Sequence, residues 1–191
     1  MKLGKEFYIN GEVTDIAKRL LGKYLYVNNE GVTAGIIVET EAYSYKEKAC
    51  HAYNNRLTQR TSTMFEEGGV AYVYTCYGIH TLFNVVTNKK GIAEAVLIRA
   101  IEPLFGLNIM RSRRGNKKDI SAGPGKLTQA LGISKKHNGV LLTSADIWIE
   151  SGISIEDQWI MSSERIGVDY AGEDAKLKWR FFIKNNLFIS H

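Results

Sequence analysis

The stretch "VAYVYTCYGIHTLFNVVTNKKGIAEAVLIRAIEP", Val70 to Pro103, holds three runs rich in Val, Ile, Tyr, Phe and Thr, broken at "YG" and at "NKKG". Runs of that composition bounded by turn residues read as strands, and a break as short as "YG" implies a tight antiparallel hairpin. In the first run Tyr72, Tyr74 and Cys76 share one face, because successive side chains of a strand point to opposite sides. Tyr77 and Gly78 fall at the hairpin tip, and the returning strand starts near His80. Asn84 lies in that strand among Leu82, Phe83, Val85 and Val86. A buried amide must be hydrogen-bonded, so Asn84 is either a structural link or a ligand reader.

The flanking segments extend the same architecture. Upstream, "YLYVNNEGVTAGIIVETEAY" reads as a second hairpin turning at "NNEG". Before it, "DIAKRLLGKYL" spaces Ile16, Ala17, Leu20 and Leu21 along one helical face, with Gly22 as a stop and Thr14 or Asp15 as a candidate cap. The segment "YKEKACHAYNNRLTQRTSTMFEEGG" is polar and reads as loop with a short helix. Downstream, "PLFGLNIMRSRR" and "GPGKLTQALGI" read as helices, and "ADIWIE" and "KWRFFIK" as strands. Strands dominate, helices are short, and no strand–helix–strand alternation repeats. The expected fold is therefore α+β: one domain over residues 1–191, with a mainly antiparallel curved sheet, a protruding β-hairpin and short flanking helices.

A chain of 191 residues can bury about 70% of its unfolded surface, so neither disulfides nor a metal is needed for folding. There is no run of about 18 apolar residues to span a membrane. The opening "MKLGKEFYIN" lacks a signal-peptide core. Cys50 and Cys76 have no metal-ligand spacing, and a reduced intracellular setting is expected. The net charge of +5 is unevenly spread. Between Arg111 and His137 eight Lys and Arg face one acid, Asp119, whereas Gly139 to Glu164 has five acids and no Lys or Arg. Such segregation suits either a polyanion-binding face or a solvated basic loop.

Several residues stand out chemically. In "VETEAY", Val38 to Tyr43, a strand puts Glu39, Glu41 and Tyr43 on one face. Same-face neighbours lie about 6.5–7 Å apart, near the spacing at which paired carboxylates flank a water in inverting glycosidases. The other reading is a wet strand face. Arg99 ends the apolar run "EAVLIRA", and a partly buried arginine needs an anion, for which a nearby Glu would serve. His51 follows in the polar loop. Tyr77 at the hairpin tip either folds back or stands out as a wedge able to enter between stacked base pairs. "AGPGKL", Ala122 to Leu127, sets Gly123 and Gly125 at a helix start, where free N–H groups and Lys126 could hold a phosphate. It lacks the full P-loop pattern.

Taken in order, "VETEAY", "YVYTCYG", "FNV", "VLIRAIEP", "AGPGKL" and "RIGVDYAGE" resemble the alkyladenine (3-methyladenine) DNA glycosylase family, from about residue 35 onward. The resemblance implies a monofunctional enzyme that flips alkylated or deaminated purines out of duplex DNA and hydrolyses the N-glycosidic bond. It implies Glu41 as general base, with Arg99 and a backbone carbonyl near Val168 positioning the water. Tyr43, His51 and Tyr74 would sandwich the base, Asn84 would exclude unwanted exocyclic amines, and Tyr77 would fill the duplex gap. Gly123, Gly125 and Lys126 would lie near the DNA backbone. The loop from Tyr43 to His51 is one residue shorter than the commonest family form. No cofactor or metal is expected. The expected partner is double-stranded DNA carrying damaged purines, bound by a monomer inside the cell, in cytoplasm or nucleoid if the source is bacterial. The alternative is a non-catalytic nucleic-acid-binding domain, which would leave "VETEAY" without a task.

Overall fold

The two hairpins meet in one eight-stranded sheet, seen in a computed structural model that describes residues 1–76 and 78–190. Tyr77 lies outside the described residues. Along the chain come α1 (Lys5–Ile9), α2 (Val13–Leu20), β1 (Tyr24–Asn28), β2 (Val32–Ser44), β3 (Ala71–Cys76), β4 (His80–Val86) and β5 (Glu94–Phe105). They are followed by α3 (Leu107–Arg113), α4 (Pro124–Leu131), β6 (Ile147–Glu150), β7 (Ile160–Ser163) and β8 (Arg180–Ile183). The main path runs β3-β4-β5-β2-β1-β6, and the described strand pairings are antiparallel. One edge of β2 is shared. Its residues Val32 to Ile36 pair with β1, and Glu39 to Glu41 pair with β8, which in turn pairs with β7. The acid-bearing half of β2 is therefore an interior strand, flanked by β5 and β8, and Val38 to Ala42 are fully buried.

Alternation assigns the two faces. One face carries Val73, Phe83, Val85, Val96 and Ile98 into the main core, where Ile16, Ala17 and Leu20 of α2, Met110 of α3 and Leu127 and Leu131 of α4 meet them. Truncating a core residue such as Leu20 to alanine should cost about 2–5 kcal/mol. The opposite face carries Tyr72, Val86 and Ala95, covered by Cys50, Ala52 and Met64 from the connection between β2 and β3. Strict alternation breaks at Val38: Ile37 pairs with Ile101, Glu39 with Ala100 and Thr40 with Ile98, so Val38 and Arg99 are each left out of the ladder. This pair of bulges lets Ile37 and Ala42, an odd number of residues apart, both reach the main core.

The boundaries differ from the sequence reading in places. Helix α2 starts at Val13, after Glu12 and without a side-chain cap, because its buried face rather than Thr14 or Asp15 fixes its start. The "PLF" expected to open a helix instead extends β5 to Phe105, and Gly106 turns the chain into α3. At its φ of 75° a side chain is strained, and a Cβ would lie 2.5 Å from the Val32 carbonyl oxygen. Strand β7, "IMSS", lacks the apolar alternation that would have marked it, and its two middle residues are exposed.

Candidate active site

Register sets residues of four strands into one row. Tyr72 of β3 pairs with Asn84 of β4, Asn84 with Leu97 of β5, and Leu97 with Glu41 of β2. Neighbouring strands lie about 4.8 Å apart, so Tyr72, Asn84 and Leu97 run along the pocket on the face opposite the main core and the row ends at Glu41 behind it. The pocket has a volume of about 520 Å³, and Tyr43, His51, Tyr74, Asn84, Arg99 and Val168 all line it. The shorter loop between Tyr43 and His51 thus still delivers the imidazole.

Glu41 is fully buried and lies behind the pocket wall. Its surroundings form that wall: Tyr43, Arg99 and Ile166 line the pocket, and each donates to Glu41. The Tyr43 hydroxyl reaches Oε2 at 2.8 Å and Arg99 Nη1 reaches it at 3.2 Å, while the Ile166 N–H reaches Oε1 at 2.7 Å. A carboxylate oxygen accepts two hydrogen bonds readily, so Oε1 retains a lone pair. Burial, the adjacent Glu41 charge and the bond to it raise the Tyr43 phenol well above its ordinary pKa, keeping it a donor.

Glu39 is tied into the same cluster. Its Oε1 accepts from Arg99 Nε at 2.9 Å, Arg180 Nε at 2.7 Å and the Ser190 hydroxyl at 2.7 Å, and its Oε2 accepts the Ser190 N–H at 2.6 Å. Burial opposes the Arg99 charge, but the carboxylates of Glu41 and Glu39 outweigh it and hold its pKa above the ordinary value. Two acids and two arginines therefore balance. The expectation that Arg99 would find a Glu is met twice over, and the same-face pair of acids is bridged by one guanidinium.

In the aromatic wall His51 packs edge to face on both tyrosines, which are tilted against each other. His51 meets Tyr74 at 4.7 Å between centroids and 74° between planes, and Tyr72 lies 5.3 Å from Tyr74. The His51 Nε2 faces Arg60 Nη2 at 3.4 Å, and its Nδ1 lies 3.1 Å from the Tyr72 hydroxyl. A guanidinium only donates, so Nε2 is the acceptor and the proton sits on Nδ1. Burial, and then the Arg60 charge, lower the His51 pKa to about 4, so the ring is neutral at neutral pH. Asn84 is buried, with Nδ2 donating to the Tyr72 carbonyl at 3.2 Å, and it also lines the pocket. It is a structural link with access to the cavity.

Beyond the pocket, Gly78 and Ile79 stand exposed at the hairpin tip, with no atom within 4 Å of a Cβ built at Gly78. Helix α4 braces the hairpin: Thr128 Oγ1 donates to the Thr81 carbonyl at 2.7 Å. A Cβ at Gly125 would meet His80 at 3.1 Å, so glycine permits this close approach. Pro124 lines the pocket, Gly123 precedes it with a φ of 133°, and Lys126 pairs with Asp119 at 2.5 Å. The Val168 carbonyl accepts the Ala171 N–H at 2.8 Å.

Sequence reasoning missed a second buried pair. Arg165 clamps Glu47 with both terminal nitrogens at 2.8 and 2.9 Å, donates to the Ala42 and Asp174 carbonyls, and lies 4.8 Å from the Tyr43 ring centroid. It fixes the segment that presents the Ile166 amide to Glu41. The signal was slight: Arg165 is the first cation after a basic-free run, and Glu47 sits in a segment that reads as wet loop. Arg180, Ser190 and Arg60 went unnoticed for the same reason, since nothing local marks a polar residue whose partner is far along the chain.

Comparison with known proteins identifies a family. The family model described as Methylpurine-DNA glycosylase (MPG) matches residues 6–187. The chain is 42% identical over 200 residues to a protein of Clostridium novyi, covering 99% of this chain and 98% of that one. It is 45% identical over 204 residues to one of Clostridium perfringens, covering 100% and 99%. It is 48% identical over 188 residues to one of Chlamydia felis, covering 95% of each. All three are provisionally named 3-methyladenine DNA glycosylase.

Proposed function

The chain belongs to the methylpurine-DNA glycosylase family, and on that premise we propose that it removes alkylated or deaminated purines from duplex DNA by hydrolysis at Glu41. Members of the family are hydrolases of N-glycosyl bonds, and their substrate is DNA. The finer reading concerns which bases leave, and how. A purine within a stacked duplex hides its glycosidic carbon, so the nucleotide must be extruded, at a cost of a few kcal/mol that damaged or mispaired bases lower. Tyr77 fills the gap it leaves. The extruded base enters between Tyr43 on one side and His51 and Tyr74 on the other, where stacking contributes about 1–3 kcal/mol.

Glu41 takes a proton from water through the remaining lone pair on Oε1 as the water oxygen attacks C1′. The C1′–N9 bond breaks, and its electron pair leaves with the purine. A 3-methyladenine or 7-methylguanine cation departs as a neutral base; hypoxanthine departs with a proton gained from outside His51, whose proton is held toward Tyr72. Arg99 and the Val168 carbonyl position the water, and Asn84 limits the space beside the base. Gly123, Gly125 and Lys126 meet the DNA backbone. The chemistry requires no cofactor. Among the described residues the lining contains no lysine, which suits hydrolysis rather than imine formation, and the protein acts as a monomer in this reading. An intracellular site of action follows from the substrate.

The observation that supports this reading most is the row from Tyr72 to Glu41, which sets a buried, three-fold hydrogen-bonded carboxylate under an aromatic slot. Glu41→Gln should slow base release at least roughly a hundredfold while retaining affinity for a duplex with a stable abasic analogue. Single-turnover release near the wild-type rate would remove Glu41 from the mechanism.

A further inference from the structure

Among the described residues two arginines line the pocket, and Arg99 is the one that is ion-paired. Glu39 and Glu41 balance Arg99 and Arg180, and Glu47 balances Arg165. Arg60 also lines the pocket, is exposed, and forms no ion pair among the described residues. Its guanidinium stands 4.9 Å from the Tyr74 ring centroid and 3.4 Å from His51 Nε2. The pocket lining thus presents one guanidinium with no ion-paired acid, beside two of the three rings proposed to hold the base. The third ring, Tyr43, already has the Arg165 guanidinium 4.8 Å from its centroid. A ring quadrupole that faces one cation attracts a second less strongly.

We infer that Arg60 determines specificity in this pocket, disfavouring purines that carry a positive charge and favouring neutral lesions whose edge offers a hydrogen-bond acceptor. The inference rests on the reading of the pocket as the base site. A 7-methylguanine nucleotide is a cation before its bond breaks, so it meets Coulomb repulsion from Arg60 that a neutral hypoxanthine nucleotide does not. Hypoxanthine instead presents O6 and N7 as acceptors to a guanidinium that only donates. At a separation of several ångströms in a half-wet site, one unit charge is worth about a tenfold change in relative rate.

The test compares single-turnover release of hypoxanthine and of 7-methylguanine from otherwise identical duplexes by wild type, Arg60→Gln and Arg60→Lys, at enzyme concentrations far below saturation, where the rate reports kcat/KM and so includes the charge of the base as it enters the pocket. Arg60→Gln should raise the rate for 7-methylguanine relative to hypoxanthine about tenfold, and Arg60→Lys, which keeps the charge, should stay near the wild-type ratio. A ratio unchanged in Arg60→Gln, or shifted equally in both variants, overturns the inference. An equal loss on both substrates would mark a general structural role and also overturn it. Release of neither base by the wild type would instead refute the underlying reading of the pocket.

Discussion

Glu41 shows how much a single carboxylate is asked to hold. Three donors converge on it, so a glutamine there must turn its amide N–H against at least one of them. Removing one partner of a buried ion pair typically costs 3–5 kcal/mol, but Arg99 keeps Glu39, and the loss should fall toward the lower end. Thermal melting of Glu41→Gln should therefore drop measurably even where duplex binding survives. His51 offers a pH test. Its ordinary value is 6.5, and in the fold burial lowers it to about 4, so on acidification the unfolded state binds the proton first. The stability linked to its neutral ring is present above the unfolded value and disappears as pH falls through that window. His51→Gln should flatten the decline in urea midpoint between those limits. Some slope will remain, because burial also lowers the pKa of His137. A slope identical to wild type would show that His51 is solvated.

At the level of strands, alternation was readable before any register was known. Tyr72 and Tyr74, Glu39 and Glu41, and the apolar run before Arg99 each announced a face. The row that joins them was not readable, because it depends on which residues stand opposite across β3, β4, β5 and β2. The bulges at Val38 and Arg99 were equally hidden: neither position has a glycine or other local mark, and both exist because the ladder slips between two long strands. Strand β8 and the segment after it carry the least obvious duty. Ser190 donates twice to Glu39 and accepts from Arg99 Nη2 at 3.2 Å, while Arg180 donates to the Ser190 carbonyl at 2.8 Å. Ser190→Ala removes the hydroxyl contacts and keeps the backbone ones, at a cost of about 1–2 kcal/mol. Because Arg99 also touches Glu41, the maximal rate of base release should fall severalfold with little change in substrate affinity. A variant that melts earlier yet turns over normally would confine Ser190 to stability.

Across the whole molecule, charge reads differently in three dimensions than along the chain. The basic run from Arg111 to His137 looked like one continuous field. In the fold, Arg113 donates to the Asn29 and Ala130 carbonyls, Arg114 is buried against Gln129 and the Asp119 carbonyl, and Lys126 pairs with Asp119. Part of that charge thus holds α3 and α4 in place, which composition alone could not distinguish from DNA binding. Lys126, half-exposed on the helix that starts at the pocket rim, is the member with a phosphate role to test. Lys126→Gln should weaken binding uniformly across sequences and reduce the slope of log K against log salt by about 1, whereas Asp119→Asn, which frees the ammonium, should tighten binding. An unchanged salt slope in Lys126→Gln would place the lysine away from the backbone. The fold class was legible because hairpins are local; the coverage of β2 by β8 was not, since it joins residues about 140 positions apart.

That distant pairing has a temporal side. A ribosome delivers the hydrophobic meander long before it delivers Arg180 and Ser190, so a half-made chain can collapse around its helices while the acids of β2 still face water. Only when the late strand docks are those acids shut in with their arginines. Competence for base release would thus be withheld from nascent or truncated chains, a safeguard that arises from topology alone.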